Sequence, residues 1–305
     1  MITIATKFTL FISLLASIGF TGCYFIYKKF NSKRIPKKWR KLANITNLYI
    51  YPLKSGRYTE VDEVECTKVG FRLPAKNGNL QLRDRQFIVY AQYDMTGKTA
   101  RIYHKMVLIS VSSRGDNIIF EAPDKELLFV RIVPKTRDNV KHIKLMDVAE
   151  EYITTVDLGD EASKWFSQYL RQEESGLRLG YYDDAWSRDL KSFIDDDSLK
   201  CYKYLTNDAF GLYSDLGAVH LVNQKTVDDL NEKLVQKVSP TQFRPNIVIN
   251  GPELERFAED RILWLKIGNV IARNVQECPR CIFTTIDPET GIRDKTRQPL
   301  LTLAK

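Results

Sequence analysis

Phe8 to Tyr27 is a run of twenty residues without a formal charge, and it divides the chain before any other feature does. At about 1.5 Å per residue such a run matches the ~30 Å hydrocarbon core of a bilayer. Phe8, Leu10, Phe11, Ile12, Leu14 and Leu15 begin the apolar surface, and Thr9, Ser13, Ser17 and Thr21 keep it moderate. Only Lys7 precedes the run. Lys28, Lys29, Lys33, Arg34, Lys37, Lys38, Arg40 and Lys41 follow it. A cleaved secretory signal carries its positive charge at the start and small residues before the cut, and a basic flank after an apolar run stays cytosolic. The expectation is therefore a signal anchor and basic linker over residues 1–41, seated in a lipid bilayer through residues 8–27, with a cytosolic C-terminal body. Thr21-Gly22-Cys23 is a faint lipoprotein-like site that Phe20 and the basic cluster fit poorly. Asn44-Ile45-Thr46 is a glycosylation acceptor pattern, so a glycan at Asn44 would reverse this orientation.

The net charge of +8 belongs to that tail. Residues 1–41 carry +9 and no Asp or Glu, which leaves residues 42–305 at −1. A nucleic-acid-binding domain carries its basic excess on the fold itself, so no nucleic-acid partner is expected. Five cysteines make no disulfide framework, and 305 residues suggest about two domains.

Beyond the linker the pattern is mostly β. Ile45–Tyr51 is β-branched and aromatic and stops at Pro52. Val61–Val69 alternates. Gln86–Gln92 and Thr99–Ile102 flank a turn at Asp94-Met95-Thr96-Gly97. Val107–Val111 and Ile118–Phe120 flank Arg114-Gly115-Asp116-Asn117, where the adhesion tripeptide reads as a hairpin turn. Asp160 opens a helix to about Arg171 with Ala162, Trp165, Phe166, Tyr169 and Leu170 on one face. A second helix begins near Asn223. Ile247–Ile249, Ile262–Ile267, Val270–Val275 and Ile282–Ile286 read as further strands. Asp195-Asp196-Asp197 lacks the spaced Gly and Glu of a calcium loop and reads as a solvated loop. The fold class is α+β, mostly β. No glycine-rich phosphate loop or parallel alternation is present, which disfavours Rossmann and nucleotide-hydrolase folds.

Three histidines and no Gly-x-Ser-x-Gly elbow leave little for hydrolytic chemistry. Cys278-Pro279-Arg280-Cys281 supplies at most two of the four ligands of a zinc site. A dithiol redox pair would open a helix in a thioredoxin-like domain, whereas β-rich flanks surround this one, and two unreactive cysteines remain the plain alternative. Arg280 between the thiols can lower a thiol pKa, and a thiolate suits a soft or high-valent metal. Cationic segments stand at several strand ends: Lys54-Ser55, Arg83-Asp84-Arg85 and Arg244-Pro245-Asn246. Such cations are usually solvated. Gathered around one thiolate they would suit a phosphorylated, anionic cofactor.

These segments together resemble one family. Leu48-Tyr49-Ile50-Tyr51-Pro52-Leu53-Lys54-Ser55, Leu82-Arg83-Asp84-Arg85 and Thr99-Ala100-Arg101 resemble the MOSC N-terminal β-barrel domain. Phe243-Arg244-Pro245-Asn246-Ile247-Val248-Ile249, the Cys-x-Arg-Cys block and Thr284–Gly291 resemble the MOSC domain, most closely that of the amidoxime-reducing components. The resemblance implies an N-terminal β-barrel-like domain over 42–175 and a MOSC β-barrel domain over 176–305 that ends short of the family's last strands, with a small insertion at Leu73–Asn79. It implies a molybdenum–molybdopterin cofactor with Cys281 as thiolate ligand of the metal and Asp215 beside it. Lys54, Ser55, Arg85, Ser214, Arg244, Asn246 and Arg280 would hold the pterin and its phosphate. The implied activity is reduction of N-hydroxylated compounds (amidoximes, hydroxamic acids, hydroxylamines). Electrons would come from NADH through NADH-cytochrome b5 reductase and cytochrome b5, at the mitochondrial outer membrane. A cofactor-binding or carrier module without turnover is the alternative. A sulfurase-like reading would need a large pyridoxal-phosphate domain for which the chain has no room.

Overall fold

The computed structural model describes residues 34–304, apart from 77, 147–148, 184–185, 187, 189–203 and 205–210. The expected anchor at Phe8–Tyr27 and the Asp195-Asp196-Asp197 loop lie outside the described residues. Among those described, no helix is long and apolar enough to cross a membrane. Two compact units are present. One holds residues 42–261 and 274–305, and the other includes residues 262–273 together with the linker before residue 42. In the latter, Trp264–Ile267 and Val270–Arg273 form an antiparallel hairpin, with the Arg273 guanidinium 5.1 Å from the Trp264 ring centre.

The larger unit is mostly β. Its five-stranded sheet runs, in spatial order, Val140–Met146, Ala149–Asp157, Leu177–Tyr181, Phe87–Ala91 and Gly97–Lys98. Phe87–Ala91 is buried at all five positions, as a strand covered on both faces must be. A four-stranded sheet orders Leu221–Asn223, Ile247–Asn250, Asn44–Ile50 and Thr59–Val61, with the first pair parallel. Ser110–Arg114, Asn117–Glu121 and Leu128–Arg131 make a three-stranded meander around the Arg114–Asn117 turn.

The expected closed barrel does not form among the described residues, and local chemistry says why. The two edges of the five-stranded sheet meet at one parallel bridge, Thr96 to Lys144. Gly97–Lys98 is only two residues long and cannot ladder further. Even this approach needs a glycine, since a Cβ on Gly97 would collide with the Leu145 carbonyl. The two larger sheets likewise touch through a single bridge, Leu53 to Phe87. Pro52, lacking an N–H, interrupts the ladder just before it, and its carbonyl accepts from Phe87 N (2.9 Å).

Helix α1 (Asp160–Arg171) covers the five-stranded sheet. Gly159, at φ 93°, stands at its N-cap rather than Asp160, which is the first helical residue. Its buried Phe166 meets Phe120 edge-on at 5.5 Å, and Phe120 meets Phe87 at 5.4 Å. Such pairs contribute about 0.5–1.5 kcal/mol each beyond area burial. Helix α2 (Gln224–Glu232) starts where expected, with the Asn223 side chain accepting from Lys225 N (3.1 Å). It buries Val227 and Leu230 against Val222, Leu234 and Phe243.

Several strand expectations change. Val61–Val69 splits into Thr59–Val61 and Glu65–Thr67. His104–Leu108 and Ile282–Thr285 are 3-10 turns. In the second, the Thr284 and Thr285 hydroxyls donate to the carbonyls three residues back and favour a turn over a strand.

Candidate active site

Strand ends deliver the polar residues to one place, and the backbone there is unusual. Ser55 (φ 66°), Arg85 (φ 50°) and Arg244 (φ 56°) are in the left-handed region, which costs a non-glycine residue roughly 1–2 kcal/mol. Each follows or precedes a strand: Ser55 the bridge at Leu53, Arg85 the strand Phe87–Ala91, Arg244 the strand Ile247–Asn250. Such strain persists where surrounding contacts over-determine it, and it clusters at functional sites.

The over-determination is visible around Asn246, 1% exposed. Its Nδ2 donates to Tyr49 O (3.1 Å) and Asp84 Oδ1 (3.0 Å). Its Oδ1 accepts from Arg85 Nη1 (3.0 Å) and His220 N (3.0 Å). All four hydrogen-bonding positions of the amide are thus used inside the protein. Asp84 also accepts from Tyr51 N (2.8 Å) and pairs with Arg85 through its other oxygen. Arg85 and Arg244 both lie on the Tyr51 ring, at 4.5 and 4.2 Å from its centre. Arg244 Nη1 donates to Gly56 O (2.7 Å).

Two buried polar atoms here have no partner among the described residues: Arg244 Nη2 and Tyr51 Oη. Leaving a buried donor unsatisfied costs about 1–3 kcal/mol, and more when it is charged. Burial pulls the Arg244 guanidinium down to about 10, and burial drives the Tyr51 phenol above its usual value against the lowering pull of Arg244 and Arg85. Both groups are donors waiting for an anionic oxygen.

His220 joins this cradle to the cysteine block. Its Nδ1 is 3.3 Å from Arg244 O, which only accepts, and its Nε2 is 3.2 Å from Arg280 Nη2, which only donates. These neighbours fix the neutral tautomer with the proton on Nδ1. Burial first, then the Arg280 charge, lowers its pKa to about 3.

Toward the open side, Lys54, 4% exposed, donates to Tyr213 O (2.8 Å) and pairs with Asp215 Oδ1. Arg101 Nη2 reaches the other Asp215 oxygen at 3.2 Å, and Asp215 and Cys281 both act on the Arg101 charge. Water reaches 53% of the Asp215 side chain. Desolvation would raise its pKa, but Lys54, Arg101 and Arg85 outweigh it and hold the carboxyl well below the usual range. Burial lowers the Lys54 ammonium, and Asp215 opposes that. Ser214 closes its own turn, its hydroxyl accepting from Gly211 N (3.1 Å). Cys278 is exposed and Cys281 partly so.

The structure thus connects Lys54 and Arg101 through Asp215, and Arg85, Asn246, Arg244 and Arg280 through His220; Cys281 follows Arg280 in the chain. Ser55 is buried next to Lys54 in the chain. Tyr51, Asp84, Arg101 and His220 are additions. Three of them stand inside the segments Tyr51-Pro52, Arg83-Asp84-Arg85 and Thr99-Ala100-Arg101, but nothing local marks which atom faces the site. An anionic, phosphorylated cofactor fits this donor set, because Arg244 Nη2 and Tyr51 Oη are buried donors without an acceptor.

The MOSC N-terminal beta barrel domain matches residues 42–173 and the MOSC domain residues 211–305. "Mitochondrial amidoxime reducing component 2" of Rattus norvegicus is 34% identical over 272 residues, covering 88% of this chain and 74% of that protein. The Homo sapiens protein of the same name is 34% identical over 271 residues, with 88% and 74% covered. "Mitochondrial amidoxime-reducing component 1" of Homo sapiens is 32% identical over 264 residues, with 87% and 72% covered. The chain belongs to the amidoxime-reducing component family of MOSC proteins.

Proposed function

We propose that this chain is a membrane-anchored molybdenum-cofactor oxidoreductase that reduces N-hydroxylated substrates, with amidoximes, hydroxamic acids and hydroxylamines as the class. The observation that carries the reading is the pair of buried donors, Arg244 Nη2 and Tyr51 Oη, unpartnered among the described residues, in a cradle that His220 links to Arg280 of the cysteine block. When bound, a molybdopterin cofactor supplies the two-electron redox chemistry. Cys281 is the thiolate that would ligate its metal. Arg244, Tyr51 and Arg280 are the donors for its anionic oxygens, with Lys54 and Ser55 at the cleft wall. Asn246, with every hydrogen bond committed, acts by holding Arg85 and His220 in place.

Reduction of an N–OH group to N–H consumes two electrons and two protons and releases water. Asp215 stays ionised between Lys54 and Arg101, so it accepts hydrogen bonds and orients a polar substrate at the cleft. Lys54, its ammonium stabilised chiefly by Asp215, holds a proton at Nζ beside that carboxylate. Arg101 keeps positive charge near Cys281 and Asp215.

Cytochrome b5, supplied by NADH-cytochrome b5 reductase, is the proposed electron donor, which agrees with a chain that carries no nicotinamide fingerprint. The apolar run Phe8–Tyr27 and its basic flank support a membrane anchor with the body facing the cytosol, and the names of the mitochondrial relatives point to the mitochondrial outer membrane. The test uses the full chain produced with a molybdopterin supply. Molybdenum and pterin are measured per chain, and benzamidoxime reduction is followed with NADH, the reductase and cytochrome b5. About one molybdenum per chain and turnover that requires all three components are expected. A folded chain without molybdenum would overturn the reading.

A further inference from the structure

A buried ion pair away from the thiol grips the loop that carries Asp215. Arg188 and Glu151 form a two-pronged pair, Nε to Oε1 at 2.6 Å and Nη2 to Oε2 at 2.8 Å, and each side chain is 2% exposed. The remaining Arg188 nitrogen, Nη1, turns the other way. It donates to Ser214 O (2.7 Å) and Gly211 O (3.2 Å), with Leu212 O at 3.4 Å. One guanidinium therefore ties a strand of the five-stranded sheet to three carbonyls of the segment that ends at Asp215.

The same segment is held from its other sides. Tyr213 N donates to Arg85 O (3.0 Å), and Tyr213 Oη donates to Thr155 Oγ1 (2.7 Å) on the strand that carries Glu151. Gly211 N donates to Ser214 Oγ, and a Cβ on Gly211 would collide with that hydroxyl. Lys54 takes Tyr213 O and Asp215 together. The Asp215 carboxylate stands between Lys54 and Arg101 although half its side chain is open to water, and a held backbone fixes where that side chain starts. A five-donor planar fork suits this task, because one face binds the carboxylate and the other caps carbonyls.

We propose that Arg188 and Glu151 are positioning residues that set Asp215 in its catalytic orientation. This rests on the reading of the site under Proposed function. The bland alternative is a buried pair that only stabilises the fold. Buried pairs of that kind are often replaced by apolar residues without loss of stability, and this separates the two ideas.

Three variants of the full chain test it: Arg188→Lys, Glu151→Gln, and the double Arg188→Met/Glu151→Met, which removes the pair without leaving a buried charge. The readouts are hydrogen exchange of residues 211–215, molybdenum and pterin per chain, and kcat and KM for benzamidoxime. The double variant is expected to fold and keep its cofactor. Exchange at 211–215 should rise at least about tenfold through the lost carbonyl contacts. Its kcat should fall roughly 10- to 100-fold from misplacement of the carboxylate, with KM little changed. Adding Asp215→Asn should erase that further loss. Normal kcat in the folded double variant, or an equal further loss in the Asp215→Asn background, would overturn the proposal. So would unchanged exchange at 211–215. The exchange measurement needs no turnover, so it stands even where the proposed reaction itself fails.

Discussion

The two ends of the site follow opposite plans. Around Asn246 the polar atoms are sealed: the amide uses all four hydrogen bonds, Asp84 serves three donors, and the backbone of Arg85 and Arg244 is left-handed. At Asp215 the carboxylate is half open to water and is held by charge, between Lys54 and Arg101. The sealed end cannot rearrange cheaply, and among the described residues its free capacity is the pair of orphaned donors. The open end has a solvent-exposed carboxylate in a cluster of charges. The first is built to retain a group and the second to act on one. Substitutions at the sealed end should therefore change cofactor content, and substitutions at the open end should change turnover at constant content.

The sharpest break of this contrast is at Cys281, which belongs to both ends. Cys281→Ser should remove molybdenum and turnover together, whereas Cys278→Ser, an exposed thiol, should keep most of each. Elemental analysis with activity decides it. Equal loss in both folded variants would indicate a dithiol redox pair instead.

Next in size is Arg244. A charge-assisted hydrogen bond to an anion is worth roughly 1.5–3 kcal/mol, which at 1.4 kcal/mol per tenfold is about one to two orders of magnitude in cofactor retention. Arg244→Ala should lose that much, and Arg244→Lys should recover part, because a point charge does not reproduce the planar fork. Pterin and molybdenum per chain, with a thermal melt, report it. Full occupancy in Arg244→Ala would remove the cradle from the site.

At the open end, Arg101→Gln should leave cofactor content intact and lower kcat about tenfold, the scale of one charge-assisted contact. An Arg101→Gln chain with normal kcat, or one that loses its cofactor, would erase the division between the ends.

The sequence shows the residues of this site better than their roles. The strand-rich body, α1, the start of α2 and the cationic strand ends follow from alternation, capping and strand-breaking prolines. Cys281, Arg244 and Asp215 came through likeness of short blocks. Arg101 to Asp215, and Arg188 to Glu151 and the 211–214 carbonyls, are separated by 114, 37 and 23 to 26 residues. Each half alone reads as an ordinary charge. The strand expected at Ile282–Ile286 failed for a local reason, because two threonine hydroxyls compete for backbone carbonyls. Among the described residues the barrel does not close for another: Gly97–Lys98 is too short to ladder.

The smallest effect tests whether the sealed end holds in acid. His220 is neutral in the folded chain, with its pKa lowered to about 3, while an unfolded histidine takes its proton near 6.5. Between these values the unfolded chain binds more protons, so stability falls as pH drops below about 6.5. One such group gives a slope approaching ~1.4 kcal/mol per pH unit. Asp215 and Asp157 have lowered pKa values. Their stabilisation is present above the unfolded carboxyl value near 3.9 and is lost only as pH falls below it, so the two windows separate. A glutamine at 220 keeps one donor and one acceptor without titrating. His220→Gln should therefore flatten the stability curve between pH 6.5 and 4.5 while leaving it unchanged at pH 7.5. Denaturant melts of both chains across that range measure the slopes. Parallel curves would mean that His220 is protonated at little cost in the fold, and that the link between the cradle and Arg280 gives way before the rest of the sealed end.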